Sequence, residues 1–276
     1  MPVIPRVAAV HDISGLGRCS LTVALPILSA MGIQCCPVPT AVLSAQTAYE
    51  GFTFRDLGSE IVPTARHWKA VNAEISAVYT GFLGSESQID QIKSLIETLS
   101  PPMVFVDPVM GDNGMAYKTY TPEMCVKMAE LVERADIITP NSTEAAILLG
   151  ERFEDAPNDP EGIRAWMERL CGLGPRMVVM TGIILDSHTI GVAGLDKGTF
   201  TLTRFERIGD SYHGAGDIFS SVLLGGLLQG NSLPAAIHRA GSFVREAIGN
   251  TLKLGAPLIE GLVYEQVIYR LCEKIT

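Results

Sequence analysis

Basic residues are scarce in this sequence: 21 Lys and Arg stand against 30 Asp and Glu, a formal net charge of −9. That deficit excludes a broad electrostatic footprint for nucleic acid or for an anionic membrane surface. An anionic small molecule stays open, because backbone amides can hold phosphate inside an acidic protein. Long apolar runs are missing as well. No uncharged stretch of about 18 apolar residues occurs, so no membrane span is expected. The opening MPVIPRVAAVHD lacks a basic region ahead of a long apolar run, so no signal peptide is expected and the protein is read as cytoplasmic. The six cysteines (Cys19, Cys35, Cys36, Cys125, Cys171 and Cys272) form no CxxC pair, which argues against a zinc site and for buried free thiols. Internal repeats, low-complexity tracts and linkers are also absent, and one domain over 1–276 is expected.

What is present is a rhythm. Short apolar runs at 6–10, 35–43, 77–82, 103–109, 135–140 and 176–182 alternate with segments whose apolar residues fall at three- and four-residue steps. Several runs are apolar throughout, as strands covered on both faces must be. The fold class is therefore α/β, three layers, with a mostly parallel central sheet between helices. The stretch 189–208 breaks the rhythm around Asp196-Lys197-Gly198 and reads as an antiparallel hairpin at a sheet edge. Two helices come next, one starting at Asp217 and one capped by Ser232 with Pro234 in its first turn and Gly249 at its end.

Ligands of open parallel sheets bind at the carboxyl ends of the strands. Small residues and acids gather after the predicted strands: Asp12 before SGLGRCS, TGFLGS at 80–85, Asp107 and Asp112 in DPVMGDNG, Asn141 with Glu144, Thr181-Gly182, and HGAGD at 213–217. In the last, Gly214 and Gly216 let backbone amides approach a ligand, and a helix start points its partly positive end at the same place. That suits a phosphoryl group in transit, with Asp217 placed to take a proton from an attacking hydroxyl. Helix-terminal amides would lower the pKa of Asp217 and make it a weak base. The same stretch is equally a tight turn before a helix cap. Asp107 and Asp112 suit a phosphate-bound Mg²⁺ or two turn positions, Asn141 and Glu144 fit a capping box, and Asp12 is a polar floor or a helix cap. SGLGRCS is a truncated dinucleotide fingerprint with Ser20 at the third glycine position, so nicotinamide binding is disfavoured. Of five histidines, His11 and His213 alone lie near these loops. Met103, Met110, Met115 and Met177 read as core or lid, and Arg204 and Arg207 as solvated.

Taken together, these motifs resemble the ribokinase-like superfamily and, within it, the vitamin B6 (pyridoxal) kinases. GAGD at 214–217 is similar to the superfamily's anion-hole and base motif. VPTAVLSAQTAY (38–49), TGFLGS (80–85) and DPVMGDNGMAY (107–117) resemble the B6 branch, from about Asp12 to Asn250. The resemblance implies phosphorylation of the 5′-hydroxymethyl group of pyridoxal, pyridoxine or pyridoxamine by ATP with Mg²⁺, in a homodimer. It implies catalytic roles for Asp217 and for the amides of Gly214, Ala215 and Gly216. It places Asp107, Asp112, Asn141, Glu144 and Thr181 at the nucleotide, with Asp107 and Glu144 toward the metal through water. Asp12, Cys19, Thr47 and Phe82 would line the pyridine pocket, and the loop 111–120 would close over ATP. Asp12 stands where many B6 kinases have Ser and resembles the hydroxymethylpyrimidine kinases instead. Hydroxymethylpyrimidine is thus the alternative substrate, and a non-catalytic B6- or nucleotide-binding protein the alternative of another class.

Overall fold

A computed structural model describes residues 4–117, 120–209 and 211–272. The first half runs β1 (Arg6–Ser14), α1 (Leu21–Ala30), β2 (Gln34–Leu43), β3 (Phe54–Asp56), α2 (Ile61–Ala70), β4 (Ala77–Thr80), α3 (Glu86–Leu99) and β5 (Val104–Val106). A small hairpin of β6 (Gly111–Asp112) and β7 (Met115–Ala116) precedes α4 (Pro122–Val132), β8 (Ile137–Ile138), α5 (Ser142–Leu149) and α6 (Pro160–Cys171). The chain ends with β9 (Met177–Ile184), β10 (Thr189–Asp196), β11 (Thr199–Glu206), α7 (Ala215–Leu228) and α8 (Leu233–Leu254), then short helical turns.

The nine-stranded sheet has the order β11-β10-β9-β8-β5-β4-β1-β2-β3. Six strands from β9 to β2 pair in parallel. β9, β10 and β11 pair antiparallel at one edge, and β3 pairs antiparallel with β2 at the other. Alternation along the strands sends side chains to two cores. Val10, Val78, Val106, Ile138 and Val178 face α3, α4, α5 and α6. Val7, Tyr79, Phe105, Ile137 and Val179 face α1, α7 and α8. This is the expected three-layer α/β class with its edge hairpin.

Helix starts are set by their caps. Ser85, Thr121 and Asp159 each accept a first-turn amide of α3, α4 and α6, and Pro122 and Pro160 occupy positions where no amide is needed. α8 starts after Ser232 as expected but runs past Gly249 to Leu254, where Gly255 turns left-handed at φ 62°. A glycine weakens a helix by about 1 kcal/mol and does not by itself end one. Pro26 lies inside α1 and cannot donate to the Thr22 carbonyl; the Tyr264 hydroxyl, 2.8 Å away, donates there instead. The thiols are not all buried: five cysteines are half-buried and Cys272 is exposed. Met110 and Met177 are core, but Met115 is 71% exposed, at the tip of the β6–β7 hairpin. Among the described residues, no helix is long and apolar enough to cross a membrane.

Candidate active site

The ladder of the parallel strands continues past their ends and sets the site's residues side by side. Gly81 N–H donates to Val10, Asp107 N–H to Thr80, Thr139 N–H to Val106 and Thr181 N–H to Pro140. Asp12, Asp107, Asn141 and Thr181 therefore emerge at one end of the sheet. α7 meets them there. Its N-cap is Gly214, in a left-handed backbone (φ 75°), and its first residue is Ala215, so Asp217 sits inside the first turn and does not start the helix. A Cβ at Gly214 would run into the Arg18 carbonyl oxygen, whereas one at Gly216 would meet nothing within 4 Å. Gly214 is thus bare because the loop 14–20 presses on it, and Gly216 is bare toward open space. No side chain caps this helix.

Asp217 is no helix cap. Its Oδ2 accepts from the Ser20 backbone N–H at 2.9 Å, across the cleft. Burial pushes its pKa up to about 7, the Ser20 bond opposes this, and the charges of Asp107 and Asp12 add to it. The expectation of a lowered pKa is corrected: the helix-end amides do not bond this carboxylate, and desolvation outweighs their field. Asp12 is 3% exposed and accepts from Ser20 Oγ at 2.6 Å and Ser14 Oγ at 2.8 Å. Burial raises its pKa against those two bonds. Cys19 lies against both acids, and burial with their charges pushes its thiol to about 12.

The second group lies around α5. Asn141 caps it by accepting from Glu144 N–H at 2.9 Å, and Glu144 returns by accepting from Asn141 N–H at 2.8 Å, the expected capping box. Glu144 also accepts from Met110 N–H, and Asn141 Nδ2 donates to the Gly111 carbonyl at 2.9 Å, so α5 holds the base of the β6–β7 hairpin. Asp107 accepts from Ser220 Oγ of α7 at 3.0 Å, and Ser220 meets Thr139 Oγ1 at 3.1 Å. Burial lifts Asp107 to about 6, and burial with the Asp107 charge lifts Glu144 well above its usual range. Asp112 accepts from Ser211 Oγ at 2.7 Å, tying the hairpin to the segment before α7. Tyr117 comes just after the hairpin, and burial together with the charges of Glu144, Asp112, Asp217 and Asp107 raises its hydroxyl's pKa. Lys118 and Thr119 of the expected lid 111–120 lie outside the described residues.

Every hydrogen-bond partner of Asp12, Asp107, Glu144 and Asp217 named above is neutral. Two buried acids, both raised by burial, one also by the other's charge, and held by neutral donors, suit a divalent ion. Among the described residues no three ligating side chains form a cage. That fits Mg²⁺, which takes one or two carboxylates and completes its shell with waters and substrate phosphates. Thr181 is half-buried beside Asn141, to which it is bridged. Phe82 is half-buried and packs on the Tyr120 ring at 6.2 Å. Thr47 is exposed on the loop after β2, and no contact joins it to Asp12; its neighbour Gln46 is the residue that reaches the loop 14–20, donating to Leu16 O at 2.9 Å and bonding the Ile259 carbonyl. Sequence reasoning passed over Ser14, Ser220 and Gln46, and met Ser20 only as a missing third glycine. Only the FSS and SGLGRCS patterns carried any sign of the three serines.

His11 is fully buried, its pKa lowered to about 3 by burial, with its ring edge-on to Tyr79 at 4.3 Å. A separate groove of about 630 Å³ runs between the end of β11 and α8, lined by Ile208, Arg245, Gly249, Lys253 and Arg270 among others. None of the acids above lines it.

Comparison with known proteins fits this geometry. The family model described as phosphomethylpyrimidine kinase matches residues 25–260. A Bacteroides thetaiotaomicron protein, provisionally described as a phosphomethylpyrimidine kinase and solved with pyridoxal, is 39% identical, with a TM-score of 0.93 over 99% of this chain and 97% of that one. The pyridoxal kinase of Lactobacillus plantarum is 27% identical, with a TM-score of 0.88 over 97% of this chain and 96% of that one. The pyridoxal kinase of Dictyostelium discoideum is 27% identical over 243 residues, 80% of this chain and 78% of that protein. With the match spanning most of its length and the ribokinase-like sheet and helices in place, the chain belongs to the phosphomethylpyrimidine kinase family.

Proposed function

We propose that the chain, as one kinase domain over 1–276, phosphorylates the 5′-hydroxymethyl group of a B6 vitamer (pyridoxal, pyridoxine or pyridoxamine) with ATP. The observation that carries this is the position of Asp217: it stands in the first turn of an uncapped helix, between a bare glycine turn and the Asp12 floor. The amides of Gly214 and Gly216 at the open end of α7 receive the transferred phosphoryl group; Ala215 N–H, expected to join them, already donates to the Tyr212 carbonyl at 3.2 Å. Asp217 orients the substrate hydroxyl and takes its proton as the new O–P bond forms and the bond to ADP breaks. A carboxylate lifted to about 7 is a stronger base than an ordinary one. Asp12 receives the ring; a protonated pyridine nitrogen would restore the ionised form that burial disfavours.

Asp107 and Glu144 would hold Mg²⁺ through water, and the ion would neutralise phosphate charge there. Asp112, Asn141 and Thr181 stand on the nucleotide side of the same edge. Cys19 sits neutral beside the floor, with Phe82 and Thr47 at the ring's outer side. A cytoplasmic homodimer completes the reading. The family's description keeps a hydroxymethylpyrimidine as the second candidate alcohol.

The test is ADP release by purified protein with Mg-ATP and each alcohol in turn. Turnover with at least one B6 vitamer is expected. Turnover confined to hydroxymethylpyrimidine moves the assignment to that substrate, and no ADP with any alcohol overturns the kinase reading in favour of a binding protein.

A further inference from the structure

Ser20 occupies a backbone conformation that an L-residue rarely adopts, φ 52° and ψ −132°. Glycine is the residue this conformation favours. Ser20 is also the N-cap of α1, where a serine oxygen ordinarily accepts an amide of the first turn. It does not do so here. Its carbonyl still receives Val23 N–H and Ala24 N–H, at 3.1 and 2.9 Å, so the helix start is served by the backbone alone. The hydroxyl is turned away and donates to Asp12 Oδ1 at 2.6 Å, while the amide of the same residue donates to Asp217 Oδ2 at 2.9 Å.

A glycine at this position would adopt the turn without strain, start the helix equally well and still offer the amide to Asp217. What the serine adds is the bond to Asp12. With Ser14 Oγ on the other oxygen of Asp12, both oxygens are held, and two lone-pair directions remain for a ligand. One rigid residue, 5% exposed, therefore ties the floor acid to the acid on α7.

We infer that Ser20 is a positioning residue that sets Asp12 toward the acceptor alcohol with its hydroxyl and Asp217 toward the reacting hydroxyl with its amide. This rests on the roles given to the two acids above. It separates the two donors by function. Loss of the hydroxyl loosens the grip on the alcohol, and retention of the amide spares the chemical step.

The experiment compares the full-length chain with Ser20→Gly and Ser20→Ala. In Ser20→Gly the KM for the vitamer rises about tenfold, as loss of a hydrogen bond to a charged group implies, while kcat falls less than about threefold and the KM for ATP holds. The thermal midpoint of Ser20→Gly stays level or rises, because strain is relieved. Ser20→Ala shows the same KM change without that gain. A vitamer KM within about twofold of the parent, or a rise in both KM values together with a lowered thermal midpoint, overturns the inference. Failure of the parent chain on every alcohol is a separate outcome, which strikes the kinase reading. In that case a double-mutant cycle with Asp12→Asn, read in thermal midpoints, still decides the coupling: non-additivity supports it, and additivity within about 1 °C removes it.

Discussion

Two helices begin at the same edge of the sheet and are finished in opposite ways. α5 is closed by its own residues: Asn141 and Glu144 exchange hydrogen bonds, and Thr143 Oγ1 accepts Gly114 N–H at 2.9 Å. α7 is left without a side-chain cap, and its N-cap glycine is pressed against a loop from the far end of the sequence, at Arg18. A capped start spends its polar groups on architecture. An uncapped one leaves its positive end open to a ligand, although in α7 the Ala215 N–H already donates to the Tyr212 carbonyl at 3.2 Å. The contrast places α5 as holder of the hairpin base and supports the proposal that α7 receives the phosphoryl group.

The strongest way to break that division is Asp217→Asn. The expected outcome is a fall in kcat of about 100-fold or more, with ATP affinity in a fluorescence titration largely retained. A near-normal kcat would remove Asp217 from the mechanism. Next come the two glycines of the turn. Gly214→Ala puts a Cβ into the Arg18 carbonyl at a positive φ, and a loss of stability of about 2–4 kcal/mol is expected in urea melts. Gly216→Ala has room inside α7, so stability should hold or rise by up to about 1 kcal/mol, while on the proposed phosphate path the added methyl group lowers activity about tenfold. If both alanine variants behave alike, the distinction between a pressed and an open glycine fails.

Smaller still is Asn141→Ala on the capped helix, with about 1 kcal/mol of stability lost and kcat little altered. A further effect is one of pH. Asp217 binds its proton more tightly in the folded chain, with a pKa of about 7, than at the ordinary 3.8. Below the ordinary value both states are protonated, and the stability linked to that proton is fully present. As pH rises through the folded value the native state must give the proton up, and that stability is lost. Asp217→Asn should therefore melt higher than the parent at about pH 8 and level with it near pH 4 by calorimetry. A constant offset across that range would show that burial does not set this carboxylate's titration.

Much of this architecture is legible in the sequence because its signals are local. Apolar runs announce the parallel strands, the turn before Gly198 announces the edge hairpin, and NSTE announces the α5 box. α2 goes unread because Pro63 stands in its first turn, and β3 because its three residues are exposed. The site divides the same way. Asp107 is marked by its place just past β5, Asp12 by its place near the end of β1, and Asp217 by the glycines before it. Their couplings are not marked, since Ser20 reaches Asp217 across 197 positions and Ser220 reaches Asp107 across 113. The pKa of Asp217 is misread from sequence for that reason: the helix start is visible locally, but the burial comes from distant segments.

The loop 14–20 carries one more implication. Arg18 N–H donates to the Glu260 carbonyl at 2.9 Å, Arg18 Nε pairs with Glu265 at 2.6 Å, and Gly261 is bare where the Arg18 carbonyl passes. The floor of the cleft is therefore locked by a stretch more than 240 positions further along the chain. Loosening that stretch would free the cleft's floor without touching a strand of the sheet, so the effect would be felt in activity before it is felt in the sheet.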